Sequence, residues 1–475
     1  MPELVKMKSQ TGRAVLAAAV LGSGMALLDG TVVNVALRRI GQDLGASLAQ
    51  LQWITNGYLL SMAAMILIGG SLGDRFGRRR IFVIGVVWFA LASVVCGVAQ
   101  SPNQLVAARV LQGIGGALLT PGSLALIQST FEPQDRPRAI GAWSGISGVA
   151  AAVGPFVGGS LIQFASWRWV FLLNLPLAAF TVAITHTSVP ESRDPTATGA
   201  FDVLGAVLGA LSLAGITFAL IESESLSPAA VWASAAIGVG CGIAFVVVER
   251  IKRSPMMPTS LFASRQFTAS NAMTLLTYAA LGAMSFFLVL QLQTVAGYGP
   301  LKAGISTLPI TILMLFLSSR GGALSTRIGP RVPMSLGPVV CGVGVALLSG
   351  VGPDLNYWSG VLPGVTLFGL GLCLLVAPLT ATVLAAAPDE HAGIASGVNN
   401  AVARAGSLLA VAALPAAVGL SGSEYDKPGI FSAAYQHAMW ICAVLLLLGG
   451  LVSWLLIRNP AAEPHLPLVA DQRPR

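Results

Sequence analysis

Apolar runs of roughly twenty to thirty residues, interrupted by short polar stretches, follow one another along the chain from about residue 13 to residue 458. One membrane crossing takes about 20 apolar residues in helical form, so the runs predict helices near 13–37, 50–73, 80–99, 104–130, 137–163, 168–188, 200–222, 229–250, 267–296, 301–326, 332–351, 358–385, 391–420 and 432–458, fourteen in all. With the N-terminus on the cytoplasmic side, 20 of the 27 lysines and arginines fall in inside loops and tails, five fall outside, and Arg109 and Arg404 stay within the membrane. That bias sets the orientation, with both termini inside. Trp53, Trp167, Trp169, Trp232 and Trp358 fall at the outer ends, where an amphipathic ring is stable. Lys6, Lys8 and Arg13 precede the first run with no small-residue cleavage site after a short apolar core, so a first spanning helix is expected rather than a cleaved signal.

The polar interruptions are not all alike. GGSLGDRFGRRRIFVIG at 69–85 returns as GGALSTRIGPRVPMSLG at 321–337, an offset of 252 residues. GAWSGISGVAAAVG from Gly141 and GIASGVNNAVARAG from Gly393 keep the same offset. Two matches at one offset indicate duplicated halves, the build plan of secondary transporters. Six helices per half would give an offset of about 190–200 residues. The excess fits one further helix pair, 200–222 and 229–250, between the halves. The expected fold is therefore an all-α polytopic membrane protein: a six-helix bundle over 1–190, two extra central helices with linkers over 191–266, a second, pseudo-symmetric six-helix bundle over 267–460, and a cytoplasmic tail over 461–475.

Composition agrees: 55% hydrophobic residues, 10% charged and a mean hydropathy of +0.78 leave more apolar surface than a soluble core can hide. The net charge of +8 sits in loops, where it orients helices rather than binds nucleic acid. Cys96, Cys241, Cys341, Cys373 and Cys442 lie in apolar runs without metal-ligand or redox spacing, as packing residues do. No GK[ST] phosphate loop, zinc spacing, paired catalytic carboxylates or GxSxG elbow occurs, so neither enzyme chemistry nor a metal or other cofactor is expected.

Charges inside the membrane cost a few kcal/mol or more and point to function by default. Asp29, Arg109 and Arg404 are such charges. A carboxylate held between desolvation and a nearby cation can change protonation as solvent access changes. The competing reading is a fixed Asp29–Arg109 pair that only ties the first helix to the fourth. Asn34, Asn56, Asn271, Tyr278, Gln291, Asn399 and Asn400 are the other polar groups on apolar helices, each either lining a substrate cavity or bonding to a neighbouring helix. With one acid and two arginines, the cavity is expected to prefer neutral, monocationic or anionic lipophiles over dications. Glu222, Glu224 and the four histidines sit near helix ends or in loops, where solvation explains them.

LDGTVVNVAL from Leu28, GSLGDRFGRRR, LVAARVLQGIGGA from Leu105 and GPFVGG from Gly154 resemble, in order and placement, the signature motifs of the major facilitator superfamily and of its fourteen-spanner drug:proton antiporter branch. The resemblance implies that Gly70, Asp74, Arg75, Gly77 and Arg78 form a cytoplasmic latch between the halves. It implies that Arg109, with Gln112, Gly113 and Gly115, faces the central cavity and shares proton coupling with Asp29. Gly154, Pro155, Gly158 and Gly159 look like the exporter motif of the fifth helix. Three departures stand out: Arg38 where the branch usually has proline, Ala150 where it has glycine, and Thr326 in the second loop where the first has Asp74. The function implied is proton-coupled export of lipophilic small molecules by alternating access, in the cell membrane, without nucleotide and as a monomer. A dedicated exporter of one metabolite or lipid, or a non-transporting sensor or scaffold, is the alternative.

Overall fold

A computed structural model describes residues 4–193, 202–223, 225–252, 255–354, 356–388 and 392–459. The predicted tail 461–475, and with it Glu224, Arg253 and His391, lies outside the described residues. The first bundle comprises α1 (Gln10–Leu44), α2 (Leu48–Phe76), α3 (Arg78–Val98), α4 (Pro102–Thr130), α5 (Arg136–Phe164) and a sixth crossing broken into α6 (Arg168–Leu172) and α7 (Asn174–Ser188). The central pair is α8 (Val203–Ile221) and α9 (Pro228–Ile251). The second bundle runs through α10 (Arg265–Thr294), a crossing broken into α11 (Pro300–Ser306) and α12 (Leu308–Ile328), then α13 (Arg331–Leu348), α14 (Leu362–Ala385), α15 (Ala392–Ala417) and α16 (Pro428–Leu456). Thirteen crossings are long and apolar enough to span a membrane, and α5, of 29 residues, completes the fourteen although some of its side chains lie outside the described set.

Local chemistry sets the helix ends. Ser9 caps α1 by accepting from Gly12 N, and Ser47 with Gln50 closes a capping box on α2. Contrary to the boundary near residue 37, α1 continues through Arg38 and Arg39 and stops at Gly45, which takes φ +65°. The continuation is stable because Leu37, Ile40 and Gly41 are buried, Arg39 pairs with Asp43 at 3.1 Å, and the Arg38 guanidinium donates to the Gln293 carbonyl of the other half. Trp167 also differs from expectation: it is fully buried and donates to Asp43 Oδ2 at 3.1 Å, while Trp169, Trp232 and Trp358 are exposed as interfacial rings are.

Within the first half α2 and α3 pack on α4, and α1 packs on α5; in the second, α13 and α12 pack on α14, and α10 packs on α15 and α16. The duplicated loop makes the same joint in both halves. Gly77 and Gly329 take φ +111° and +83°, a region other residues rarely enter. A side chain from beyond the last helix of the half then caps the next helix: Glu191 Oε1 accepts from Arg79 N at 3.1 Å, and Asn459 Oδ1 accepts from Arg331 N at 3.1 Å.

The central pair packs on itself and, through α8, on α2 and α15. The most apolar stretch of α9 is only 6% buried, so it faces lipid. At the foot of the pair Asp202 accepts from Gly205 N at 2.7 Å and pairs with Lys252 Nζ at 2.6 Å. Burial works against its charge, but these hydrogen bonds outweigh it and hold the Asp202 carboxyl below the usual carboxylate range.

With the ends named by the sequence-derived orientation, the hydrogen bonds joining described residues of the two halves cluster at the outer end. Gln52 Nε2 donates to the carbonyls of Val411 and Ala412 at 2.7 and 3.0 Å, and Gln293 Nε2 donates to Val35 O at 2.9 Å. Tyr425 OH donates to Ala46 O at 2.8 Å, and Leu48 N to Gly422 O at 2.9 Å. Together with Arg38 on Gln293 O, they form an outer seal.

Candidate functional site

Helices α1, α2, α3, α4 and the break between α6 and α7 converge on one polar knot inside the first bundle. Asp29 Oδ2 is paired with Arg109 Nη1, and the two side chains are 0% and 1% exposed. Asp29 Oδ1 accepts from Gln112 Nε2 at 2.9 Å and from Asn174 Nδ2 at 3.2 Å. Ser93 Oγ accepts from the same two amides at 2.8 and 3.2 Å and passes its own proton to Phe89 O at 2.8 Å. Arg109 also donates through Nε to Ile54 O at 3.1 Å and through Nη1 to Gln112 Oε1 at 2.6 Å. Its guanidinium lies 4.3 Å from the centre of the Tyr58 ring, a cation–π contact. A buried charge pair is tolerable only when its remaining hydrogen-bonding capacity is filled, and here both carboxylate oxygens are satisfied.

The helix 4 glycines explain why α2 and α3 come so close to this knot. A Cβ on Gly113 would strike Ser61 and the Tyr58 carbonyl, and one on Gly115 would lie 2.7 Å from Phe89 N. Three participants, Ser93, Asn174 and Tyr58, are not among the residues expected from the sequence. Asn174 has a readable signal, an amide beside Pro176 in an otherwise apolar crossing.

The other predicted residues divide into groups. Gly154 and Gly158 let α5 lie against Thr31 and Val32 of α1, a Cβ on Gly159 would lie 2.7 Å from Leu301 Cα of α11, and Pro155 O faces Gly304. The exporter motif thus occupies the seam between the halves. Asp74 pairs with Arg78 at 2.7 Å within its own loop, Gly77 abuts Glu191, Gly70 abuts Pro121, and the Arg75 guanidinium lies over Phe76 at 5.8 Å.

Among the polar candidates, Gln291 is fully buried and donates to Val351 O and Ser432 Oγ at 2.7 and 3.2 Å, bonding to neighbouring segments of its own half. Asn399 bridges to Asn271 Oδ1 and Thr274 Oγ1 at 3.2 and 2.8 Å, and Asn400 is exposed and bonded to Ser396 O. Among the described residues neither amide atom of the fully buried Asn56 has a partner, and Asn34 Oδ1 likewise has none. Tyr278 and Arg404 are half-buried on neighbouring helices α10 and α15, which touch where Ser407 Oγ donates to Tyr278 O at 2.9 Å.

Duplicated bundles, an outer seal and a buried ionic knot define a polytopic membrane protein of the secondary-transporter class. The sequence profile of the Major Facilitator Superfamily matches residues 19–411, and the chain belongs to that superfamily. It is 36% identical over 411 residues to the tetracenomycin C resistance and export protein of Streptomyces glaucescens, covering 84% of this chain and 74% of that protein. It is 34% identical over 468 residues to the puromycin resistance protein pur8 of Streptomyces alboniger, covering 95% and 93%. The multidrug resistance protein Stp of Mycobacterium tuberculosis is 35% identical over 401 residues, with 83% and 73% covered. Among solved structures, a POT family transporter in complex with a thioalcohol-conjugated peptide superposes with a TM-score of 0.70 at 14% identity, covering 96% of this chain and 99% of that one. A bacterial homologue of the human lysosomal transporter Spinster gives 0.64 at 17% identity, covering 94% and 97%.

Proposed function

We propose that this chain is a proton-driven exporter that moves lipophilic small molecules out of the cytoplasm by alternating access. Export is supported by relatives whose names are those of resistance and export proteins, over most of both chains. Proton coupling rests on one observation: Asp29, an acid on a membrane-spanning helix, is held by a cation and two amides that can each find another acceptor. A proton arriving from outside adds to an Asp29 oxygen and cancels its charge. Arg109 then keeps Ile54 O, Gln112 Oε1 and the Tyr58 ring, so its charge is not stranded. Losing the ionic tie between α1 and α4 lets the halves rock about the glycine-lined seam of α5. Cytoplasmic substrate restores the ionised pair in the next half-cycle, with release of the proton inward.

In this cycle the loop at Gly70, Asp74, Arg75, Gly77 and Arg78 latches the cytoplasmic side when the outer seal opens. The cycle needs no nucleotide, metal or catalytic group, works in one chain, and places both termini in the cytoplasm of the cell carrying the membrane. Purified protein in liposomes with an imposed proton gradient and an internal pH dye tests it. Substrate-triggered proton flux in the wild type, absent in Asp29→Asn, is expected; equal flux in both would assign Asp29 to structure alone.

A further inference from the structure

The charges inside the membrane do not balance. Asp29 and Arg109 neutralise one another. Arg404 stands twelve residues into the 26-residue α15, about 18 Å along it at 1.5 Å per residue, and so near mid-membrane. Among the described residues it makes no hydrogen bond and no ion pair. The helices of the second half contain no aspartate or glutamate between Arg265 and Asp354, or between Asn356 and Pro388, that could answer it. An embedded arginine without a partner is costly, and among the described residues no acid of its own bundle pairs with it.

Its place in the fold is specific. Helices α2 and α15 run antiparallel, with Gln52 on Val411 and Ala412 near the outer end and Leu67 beside Gly397 toward the cytoplasm. That register sets Arg404 level with Leu60, on the cytoplasmic side of the outer seal and at the seam of the halves. Tyr278, half-buried on the neighbouring α10, accepts on its carbonyl from Ser407 Oγ at 2.9 Å, one helical turn from Arg404. It is half-buried rather than sealed in. A planar guanidinium with free donors near a half-buried aromatic side chain suits a flat ring system that carries one acidic oxygen pair.

We propose that Arg404 is the specificity-determining residue of the substrate site and that it selects aromatic amphiphiles bearing one anionic group, a carboxylate or an equivalent acid, anchored by the guanidinium with the ring system against Tyr278. The inference rests on the export reading and narrows it. Asp29 and Arg109 serve the proton, whereas Arg404 serves the substrate.

The test uses a matched pair, pyrenebutyrate and its carboxamide, with the full-length protein. Binding is measured in detergent, and transport with proton flux in liposomes. The wild type should bind the acid about tenfold more tightly than the amide, the gain expected of one charge-assisted contact. Arg404→Gln should bring the two to parity by weakening the acid alone. Arg404→Lys, which keeps the charge and loses the planar fork, should fall between, and it carries the test if the glutamine variant does not purify folded. Equal wild-type affinity for acid and amide, or an equal loss of both in the variants, would overturn the assignment. The export reading fails separately: if the acid binds through Arg404 yet neither probe moves protons or crosses the membrane, the site stands and the antiport cycle falls. If both probes drive proton flux unchanged in Arg404→Gln, the cycle stands and the assignment falls.

Discussion

At the cytoplasmic joint of the first half, Glu191 accepts from the amides of Arg79 and Arg80, and Asp74 pairs with Arg78. At the matching joint of the second half, Asn459 accepts from Arg331 N, while the position of Asp74 is held by Thr326, which donates to Ala323 O of its own helix. Both joints keep a glycine at positive φ. The same contrast holds deeper in the bundles: at the repeat offset of 252, Asp29 and Arg109 correspond to Leu281 and Val361. Geometry is therefore common to the halves, and ionic chemistry is concentrated in one. A two-fold scaffold needs both joints to turn alike, whereas a buried ion pair can sit in one half alone.

Substitutions can separate what is shared from what is not. The largest effect is expected for Asp29→Asn, which should reduce gradient-driven flux in liposomes to the level of protein-free vesicles at a moderate cost in stability, because the amide oxygen still accepts from one set of donors while its NH2 faces the other. Next comes Arg109→Ala, which strands a buried carboxylate and should cost about 3–5 kcal/mol. The double variant Asp29→Asn with Arg109→Gln should regain most of the thermal stability in detergent but none of the coupling, and recovery of coupling would break the assignment of chemistry to this half. Gly77→Ala and Gly329→Ala probe the shared part. Each should destabilise by about 1–3 kcal/mol, and a large inequality between the two melting shifts would show that the joints are not equivalent. The smallest effects belong to the caps. Glu191→Gln and Asn459→Asp exchange the chemistry of the two joints while keeping an acceptor oxygen, so shifts within about 1 kcal/mol are expected, readable as small opposite changes in melting temperature.

The sequence already carries the fourteen crossings and the duplication, since about 20 apolar residues between charged turns have few other uses. Asp29, Arg109 and Gln112 are legible because polar groups in such runs are few. Ser93 is not, since a helical serine can satisfy itself on the carbonyl one turn back, as it does on Phe89. Gln291 and Asn399 look like cavity groups because α10 and α15 are apolar on most faces, and only the packing shows which neighbour each one meets. The run of α1 through Arg38 depends on an acceptor in the opposite half, Gln293 O, that no local pattern announces. Trp167 is drawn inward by Asp43, one helix away in space and 124 residues away in sequence.

The outer seal has one further consequence, for how such a protein tolerates change. Its side-chain donors, Arg38, Gln52, Gln293 and Tyr425, all reach main-chain carbonyls, those of Gln293, Val411, Ala412, Val35 and Ala46. A carbonyl is present whatever the side chain, so the receiving face of the gate can drift through many residue types without losing a bond. Only the donors are exposed to selection, and a saturation screen of this surface should read as a few intolerant positions facing a permissive wall.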